Sequence, residues 1–473
     1  MRTARSVVQA LPVLAVALAL TAVPSSAVPN WGPLGPANPH LGPLGTATMH
    51  GDAGSSDVTP LAGPGVDRVA PAGDPMAAAC PTILQGSDGM IVALCTAIID
   101  RAPTVYLFDP AKGPIGPAAA KMSLTKGSLL GGVYAYLDNE NHLVVVDGER
   151  RLLRIAHNRD ASGKWGLTVA ENTDLTAAIP EGDAVTGLVP DWTGNVWFAT
   201  GAGLVGKVTR NGAVNTHQLP AGERVANSIS AAPDGVAVAT THALYEFAAG
   251  GAGAPQVKWR AAYDRGPARK PGQLSWGTGS TPTYFGPGDG TEYLTIVDNA
   301  DDQVHLLVYR AGTGELVCNR PVLTEGGPGS ENSPIGIGRS VFVASTYGYP
   351  YPTVPDDAGP AEPAIAPFSG GMTRVDIDDQ GCHTVWENDV RSAAVPKLSA
   401  ADGNIYTVFR LGLDLTTPLD GYAYGVIDPA TGEVTAKQPV SATIVADTLQ
   451  MAGLTTTNGE LWQGTVTGIM RLR

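Results

Sequence analysis

Ser280-Thr281-Pro282-Thr283, running on to the turn Arg310-Ala311-Gly312-Thr313-Gly314-Glu315, decides the fold, because the same grammar returns elsewhere in the chain. Asn332-Ser333-Pro334-Ile335 opens a second copy that passes through Arg374-Val375-Asp376-Ile377. Val395-Pro396-Lys397-Leu398 opens a third that reaches Asp428-Pro429-Ala430-Thr431-Gly432-Glu433. Each copy has a small or apolar strand, a Gly or Asp turn, a β-rich run, and a further strand ending in a Gly-Glu or Asp-Pro-Ala turn. A period of roughly 40 to 60 residues built from four strands fits the blades of a β-propeller and excludes helical solenoids.

Alternation and turn residues place eight such units at about 79–122, 129–172, 185–219, 226–260, 280–323, 332–388, 395–440 and 449–473. The last holds only three strands, Met451 to Thr456, Glu460 to Val466 and Gly468 to Arg473. An N-terminal strand, placed near Val66-Asp67-Arg68-Val69, is expected to complete it and so remove an exposed sheet edge. Seven blades is the alternative count. The 59 Gly and 38 Pro among 473 residues, with 16% charged residues, suit many tight turns between short strands, so the predicted class is all-β.

Residues 1–27 read as an export signal: Arg2 and Arg5, an uncharged apolar run from Ala10 to Val23, then Ser25-Ser26-Ala27. That run contains Pro12 and is shorter than the ~20 residues needed to span a bilayer, so no membrane span is expected after cleavage. Residues 28–75 repeat Gly-Pro-Leu-Gly at 32–35 and 42–45 and read as a disordered or loosely extended segment, with the propeller occupying 76–473. Four cysteines in an exported chain argue for two disulfides. Cys80 and Cys95 fall on neighbouring strands of the first unit and are paired, which leaves Cys318 with Cys382 on the outer strands of consecutive units.

The net charge is −14, and loss of residues 1–27 removes Arg2 and Arg5 and no acid, giving −16. A surface this acidic repels phosphate backbones, which sets nucleic acid aside as a partner. Gly201-Ala202-Gly203-Leu204-Val205-Gly206 matches a dinucleotide fingerprint letter for letter but lies between two strands with no helix to follow, so it reads as a turn. Neither a nucleophile elbow, a Walker loop nor a zinc-protease motif is present.

The Thr-Pro strand starts, Val105-Tyr106-Leu107-Phe108-Asp109-Pro110-Ala111, Gly312-Thr313-Gly314-Glu315 and Asp428-Pro429-Ala430-Thr431-Gly432-Glu433 resemble the repeats of the pyrroloquinoline-quinone-type, or quinoprotein-like, propeller superfamily. Gly194-Asn195-Val196-Trp197-Phe198-Ala199 with Val205-Gly206-Lys207-Val208 is similar, in one blade, to streptogramin lyase repeats. The first likeness implies that Trp386 docks one blade on the next. It does not bring the full quinone site, which uses vicinal cysteines, a Trp platform and Ca²⁺; only Glu331-Asn332 matches in part, so no cofactor is expected, with Ca²⁺ held open.

In a propeller the outer-to-inner connections and the second-to-third hairpins open on one face around the channel. That rule sets Asp138, Glu140, Asp191 and Trp192 on the opposite face as turn formers. On the presumed functional face, Glu331 and Asn332 precede the inner strand of the sixth unit, and Tyr347-Gly348-Tyr349-Pro350-Tyr351 opens an insertion reaching about Gly370. This insertion is either a ligand surface offering Tyr347 and Tyr349 or a Pro-rich cover over the channel mouth. Asp298, Asn299, His242 and Arg410 join the candidate ligand-binding set, with Asp301, Arg224, Asn227, Arg391 and Asp447 nearby; turn-forming and structural roles compete for each. The expectation is a secreted or envelope-associated monomer that binds a glycan, lipid, peptide or other small molecule at the channel mouth. The alternative is a lyase or hydrolase using Glu331, His242 or Arg410, or, further off, a quinone-dependent oxidoreductase.

Overall fold

The computed structural model describes residues 30–113, 116–127 and 134–473; the export signal read at 1–27 lies outside the described residues. Eight sheets follow one another along the chain. The first blade is Ala78–Gln85, Ile91–Ala97, Pro103–Phe108 and Ala120–Ser123, and the sixth is Ile335–Ile337, Ser340–Ala344, Met372–Asp378 and Gly381–Asn388. Strands within each are antiparallel neighbours in sequence order, so the eight-bladed, all-β expectation holds. Apart from two 3₁₀ turns, Pro110–Lys112 and Ile444–Ala446, the regular structure of the described residues is entirely strand.

Blade position follows from hydropathy. Inner and middle strands such as Val196–Thr200 and Tyr422–Ile427 are buried throughout, whereas the outer strand Leu316–Pro321 is half-buried or exposed. The apolar cores lie between consecutive sheets: one unites Phe285, Val297 and Val308 of blade 5 with Val341, Val343 and Val375 of blade 6. First-to-second hairpins are closed by Asp side chains. Asp191 Oδ1 accepts from the amides of Thr193 at 2.9 Å and Asn195 at 3.0 Å, and Asp138 does the same for Glu140 and His142, the turn-forming roles expected of both. The stretch 201–203 is likewise a turn between Val196–Thr200 and Leu204–Val208.

Docking between blades uses outer-strand tryptophans. Trp386 of blade 6 donates from Nε1 to Pro429 O at 3.0 Å, and its ring lies against Gly432, whose φ is +77° and where a Cβ would sit 2.6 Å from the ring. Trp259 of blade 4 covers Gly314 of blade 5 in the same way. These are the Thr-Gly-Glu turns of the repeat, and the glycine is required both by backbone conformation and by the indole above it.

Both disulfides form as expected, Cys80–Cys95 within blade 1 and Cys318–Cys382 across the outer strands of blades 5 and 6. The second spans 64 residues of sequence and ties two blades together. Replacing both Cys318 and Cys382 with Ser should lower unfolding free energy by about 2–5 kcal/mol in urea titrations under oxidising conditions, where Cys80–Cys95 stays intact.

Residues 71–75 close the ring. Pro71–Pro75 pairs antiparallel with Gly468–Leu472 as the outer strand of blade 8, a few residues beyond the expected Val66–Val69; Ala70 and Met76 extend the ladder to Arg473 and Thr467. The proline positions suit an outermost strand, where one edge needs no donors.

The expectation of disorder does not hold for residues 30–75. This segment threads the channel from the side of the first-to-second hairpins. Gly42 and Ala47 exchange backbone hydrogen bonds with Leu137 of blade 2, Thr46 O accepts from Gln85 of blade 1, Ala53 O from Ala231 of blade 4, Gly54 O from Tyr284 of blade 5, and Ser56 O from Gly336 of blade 6. Val58–Thr59 then adds as a parallel fifth strand to Lys397–Ser399 of blade 7, and Asn38 Nδ2 donates to Pro190 O of blade 3. The segment has few large apolar groups but many backbone groups, and the inner strands of a propeller present unpaired ones to the channel. Pairing the two sets offsets the ordering entropy that the composition alone leaves uncovered.

Candidate functional site

With one end of the channel filled, a cavity of about 380 Å³ remains at the other, on the face that carries the outer-to-inner connections. Its wall is made of the residues that begin the inner strands: Ala79 and Pro81 of blade 1, Asn227, Thr281, Glu331 to Ser333, Val395, and Gln450 to Ala452. Met49 and His50 of the threaded segment form the floor. Tyr351, Pro352 and Thr353 of the blade 6 insertion, with Leu274, overhang it. The wall is largely apolar.

Glu331 is the chemical exception. It is 9% exposed, and neither carboxylate oxygen has a hydrogen-bond partner. Its main chain is fixed, since Glu331 N donates to Thr346 Oγ1 at 2.9 Å, and its side chain lies so close to Gly279 that a Cβ there would stand 2.5 Å from Oε2. Burial pushes its pKa up to about 8, against the weaker pull of the Leu274 amide and the Arg269 charge. Beside it, Asn332 donates from Nδ2 to Gln450 Oε1 at 3.0 Å, and Gln450 in turn donates to Ser392 O at 2.7 Å. On the floor, His50 Nδ1 lies 2.9 Å from Asp57 Oδ1 and 3.1 Å from Ser333 Oγ, while Ser333 also hydrogen-bonds Asp57 Oδ2. Asp57 is fully buried, so it fixes the imidazole.

Of the candidates from the sequence, the structure brings Glu331, Asn332 and Asn227 together in this cavity and places the rest of the ligand-binding set elsewhere. Arg410 is buried in an ion-pair network: Nε donates to Asp420 Oδ2 at 2.8 Å and Nη1 to Asp447 Oδ2 at 3.3 Å. Tyr349 belongs to the same network, its hydroxyl bonding Asp447 and its ring packing edge-on against Phe368 and Tyr351. Tyr347 is half-buried over Gly327 and Gly329. Asp298 accepts from His305 through both backbone N and Nδ1, and Asn299 Nδ2 donates to Arg265 O and Ala268 O, which makes each a loop fastener. His242 shares Nδ1 with Thr241 Oγ1 and meets Arg265 Nη1 at Nε2; burial and the Arg265 charge hold its pKa below the usual value.

The insertion proves to be a cover whose aromatic contribution to the cavity is Tyr351. It is pinned by Arg269, which donates to Gly359 O at 2.9 Å, by an Arg224–Asp357 ion pair, and by buried Phe368, whose amide donates to Asp414 O. His50, Asp57 and Tyr351 were missed by sequence reading. The Tyr-Pro-Tyr run gave a signal for Tyr351, but His50 sat in a stretch read as disordered. Among the described residues no three His, Cys, Asp or Glu side chains cluster to hold a metal ion, and no helix is long and apolar enough to cross a membrane.

No protein-family model matches the chain, and no curated protein matches it in sequence. Solved structures align with it over most of their length. BamB from Moraxella catarrhalis is 12% identical, with 86% of this chain and 97% of that one covered and a TM-score of 0.49. A streptogramin B lyase is 10% identical over 86% and 97%, with a TM-score of 0.45. A europium-containing methanol dehydrogenase is 10% identical over 90% and 97%, with a TM-score of 0.41. In its fold, as its eight four-stranded units show, this chain is a β-propeller.

Proposed function

We propose that this protein is an exported binding module that takes a ligand with an apolar body into the axial cavity. The observation that carries the reading is the cavity itself, closed below by Met49 and His50, roofed by Tyr351 to Thr353, and presenting a surface that is mainly apolar although polar residues also line it. That character favours a lipid-like or other apolar small molecule over the glycan or peptide that the tyrosines first suggested. Export is supported by the two disulfides and the signal-like start of the sequence. The reading includes a monomeric state and no nucleic-acid partner.

Filling the cavity tests it. Leu274→Trp should abolish displaceable binding of an apolar fluorescent dye, a loss of at least tenfold in affinity, while circular dichroism and melting temperature stay near wild type. Unchanged dye binding would place the ligand surface elsewhere. A catalytic reading rests on the His50–Asp57 pair, because a carboxylate-anchored imidazole beside a ligand cavity is equipped to move protons.

A further inference from the structure

The unpaired polar groups of the cavity define the chemistry of what enters. Glu331 offers two carboxylate oxygens without partners. Asn332 spends one Nδ2 hydrogen on Gln450 Oε1, a bond that fixes the amide plane and leaves its Oδ1 as an acceptor beside the carboxyl. Arg269, the cation whose charge acts on Glu331, is occupied by Gly359 O and by Gln273 O at 2.8 Å. Lys270 points away to Ala300 O and Pro328 O. Two tyrosines that line the cavity, Tyr134 and Tyr351, are close enough for the Glu331 charge to act on their hydroxyls. With Arg269 acting only at a distance and, among the described residues, no cation ion-paired to Glu331, these acceptors with aromatic neighbours lack one thing, a cationic donor.

From this geometry, and resting on the binding reading above, we infer that the axial cavity is a site for a cationic amphiphile, a primary or other protonated amine carried on an apolar body, with Glu331 as its counter-ion. The ammonium group donates to the Glu331 carboxylate and Asn332 Oδ1 and lies near the Tyr134 and Tyr351 rings; the apolar body lies along Leu274, Val395 and Met451. The titratable groups facing this carboxyl are Arg269, Tyr134 and Tyr351, with His50 and Asp57 on the floor and Arg101 at the rim.

A pH signature follows. With its pKa near 8, Glu331 is mostly protonated at pH 7 in the empty site, and an ammonium ligand selects the ionised form. Amine binding therefore releases close to one proton at pH 7, and affinity rises about tenfold per pH unit from pH 6 towards 8, then levels.

The test is calorimetry on the intact protein with octylamine, octanol and octanoate, probes small enough for the cavity, in phosphate and in Tris at pH 7 and again at pH 8.5. Octylamine should bind at least tenfold more tightly than octanol, with a proton release seen as a buffer-dependent enthalpy. Glu331→Gln should lose that preference and the proton release while still binding octanol. Equal binding of octanol and octylamine, tighter binding of octanoate, or an unaltered preference in Glu331→Gln overturns the cation assignment and leaves the cavity reading standing. If none of the three binds, the cavity reading itself fails. Tyr351→Leu separates ring from fold, and should weaken octylamine more than octanol.

Discussion

Deletion of residues 30–60, with residues 61–75 retained to close blade 8, should leave a chain that no longer folds to a soluble monomer. The segment is not an accessory. Its backbone pairs with the inner strands of blades 1, 2, 4, 5, 6 and 7, and Asn38 reaches blade 3. Each pairing contributes ~1 kcal/mol net, and each inner-strand group left unpaired in a narrow channel costs ~1–3 kcal/mol. The loss is on the order of the entire stability of a typical domain, ~5–15 kcal/mol. Size-exclusion chromatography and hydrogen exchange would decide the matter. A monomeric deletion protein with native protection in blades 4 to 7 would show that the segment is only a passenger.

The second large effect is expected at Arg410. Arg410→Ala should destabilise the protein by about 3–5 kcal/mol, because it leaves Asp420 and Asp447 buried without their cation. The side chains of all three are at most 5% exposed. Tyr349 depends on the same Asp447, so the base of the blade 6 insertion should loosen with it. Restoring balance should restore stability: Arg410→Met combined with Asp420→Asn should recover part of the loss, which urea midpoints measure directly. Ligand affinity, measured below the melting transition, should change far less than in Glu331→Gln, since Arg410 lies outside the axial cavity. A larger effect on binding than on stability would return Arg410 to the binding set.

The blades were legible because hydropathy alternation and turn residues are local signals. The boundary at 332–388, for instance, falls within a few residues of the strands Ile335–Ile337 to Gly381–Asn388. The Cys80–Cys95 pair and the turn roles of Asp138 and Asp191 came through for the same reason, whereas Cys318–Cys382 followed by elimination and the docking of Trp386 from the resemblance of the repeats. The site was legible only in part. Glu331 and Asn332 do line a cavity on the expected face, but the sequence could not tell whether a polar side chain there is already occupied. Arg410 meets Asp447 across 37 residues, and Tyr349 meets the same aspartate across 98. The threaded segment escaped for a different reason: its stabilisation comes from backbone pairing with strands far along the chain, and composition carries no trace of that.

The order in which the chain emerges gives the threaded segment a role in assembly. Residues 38–60 precede every blade whose inner strand they touch, and the ring is sealed only when Gly468–Leu472 meets Pro71–Pro75. The wheel is thus built around its own axle: a mandrel is laid down first, successive sectors wrap it, and the clasp between the earliest and latest strands locks it inside.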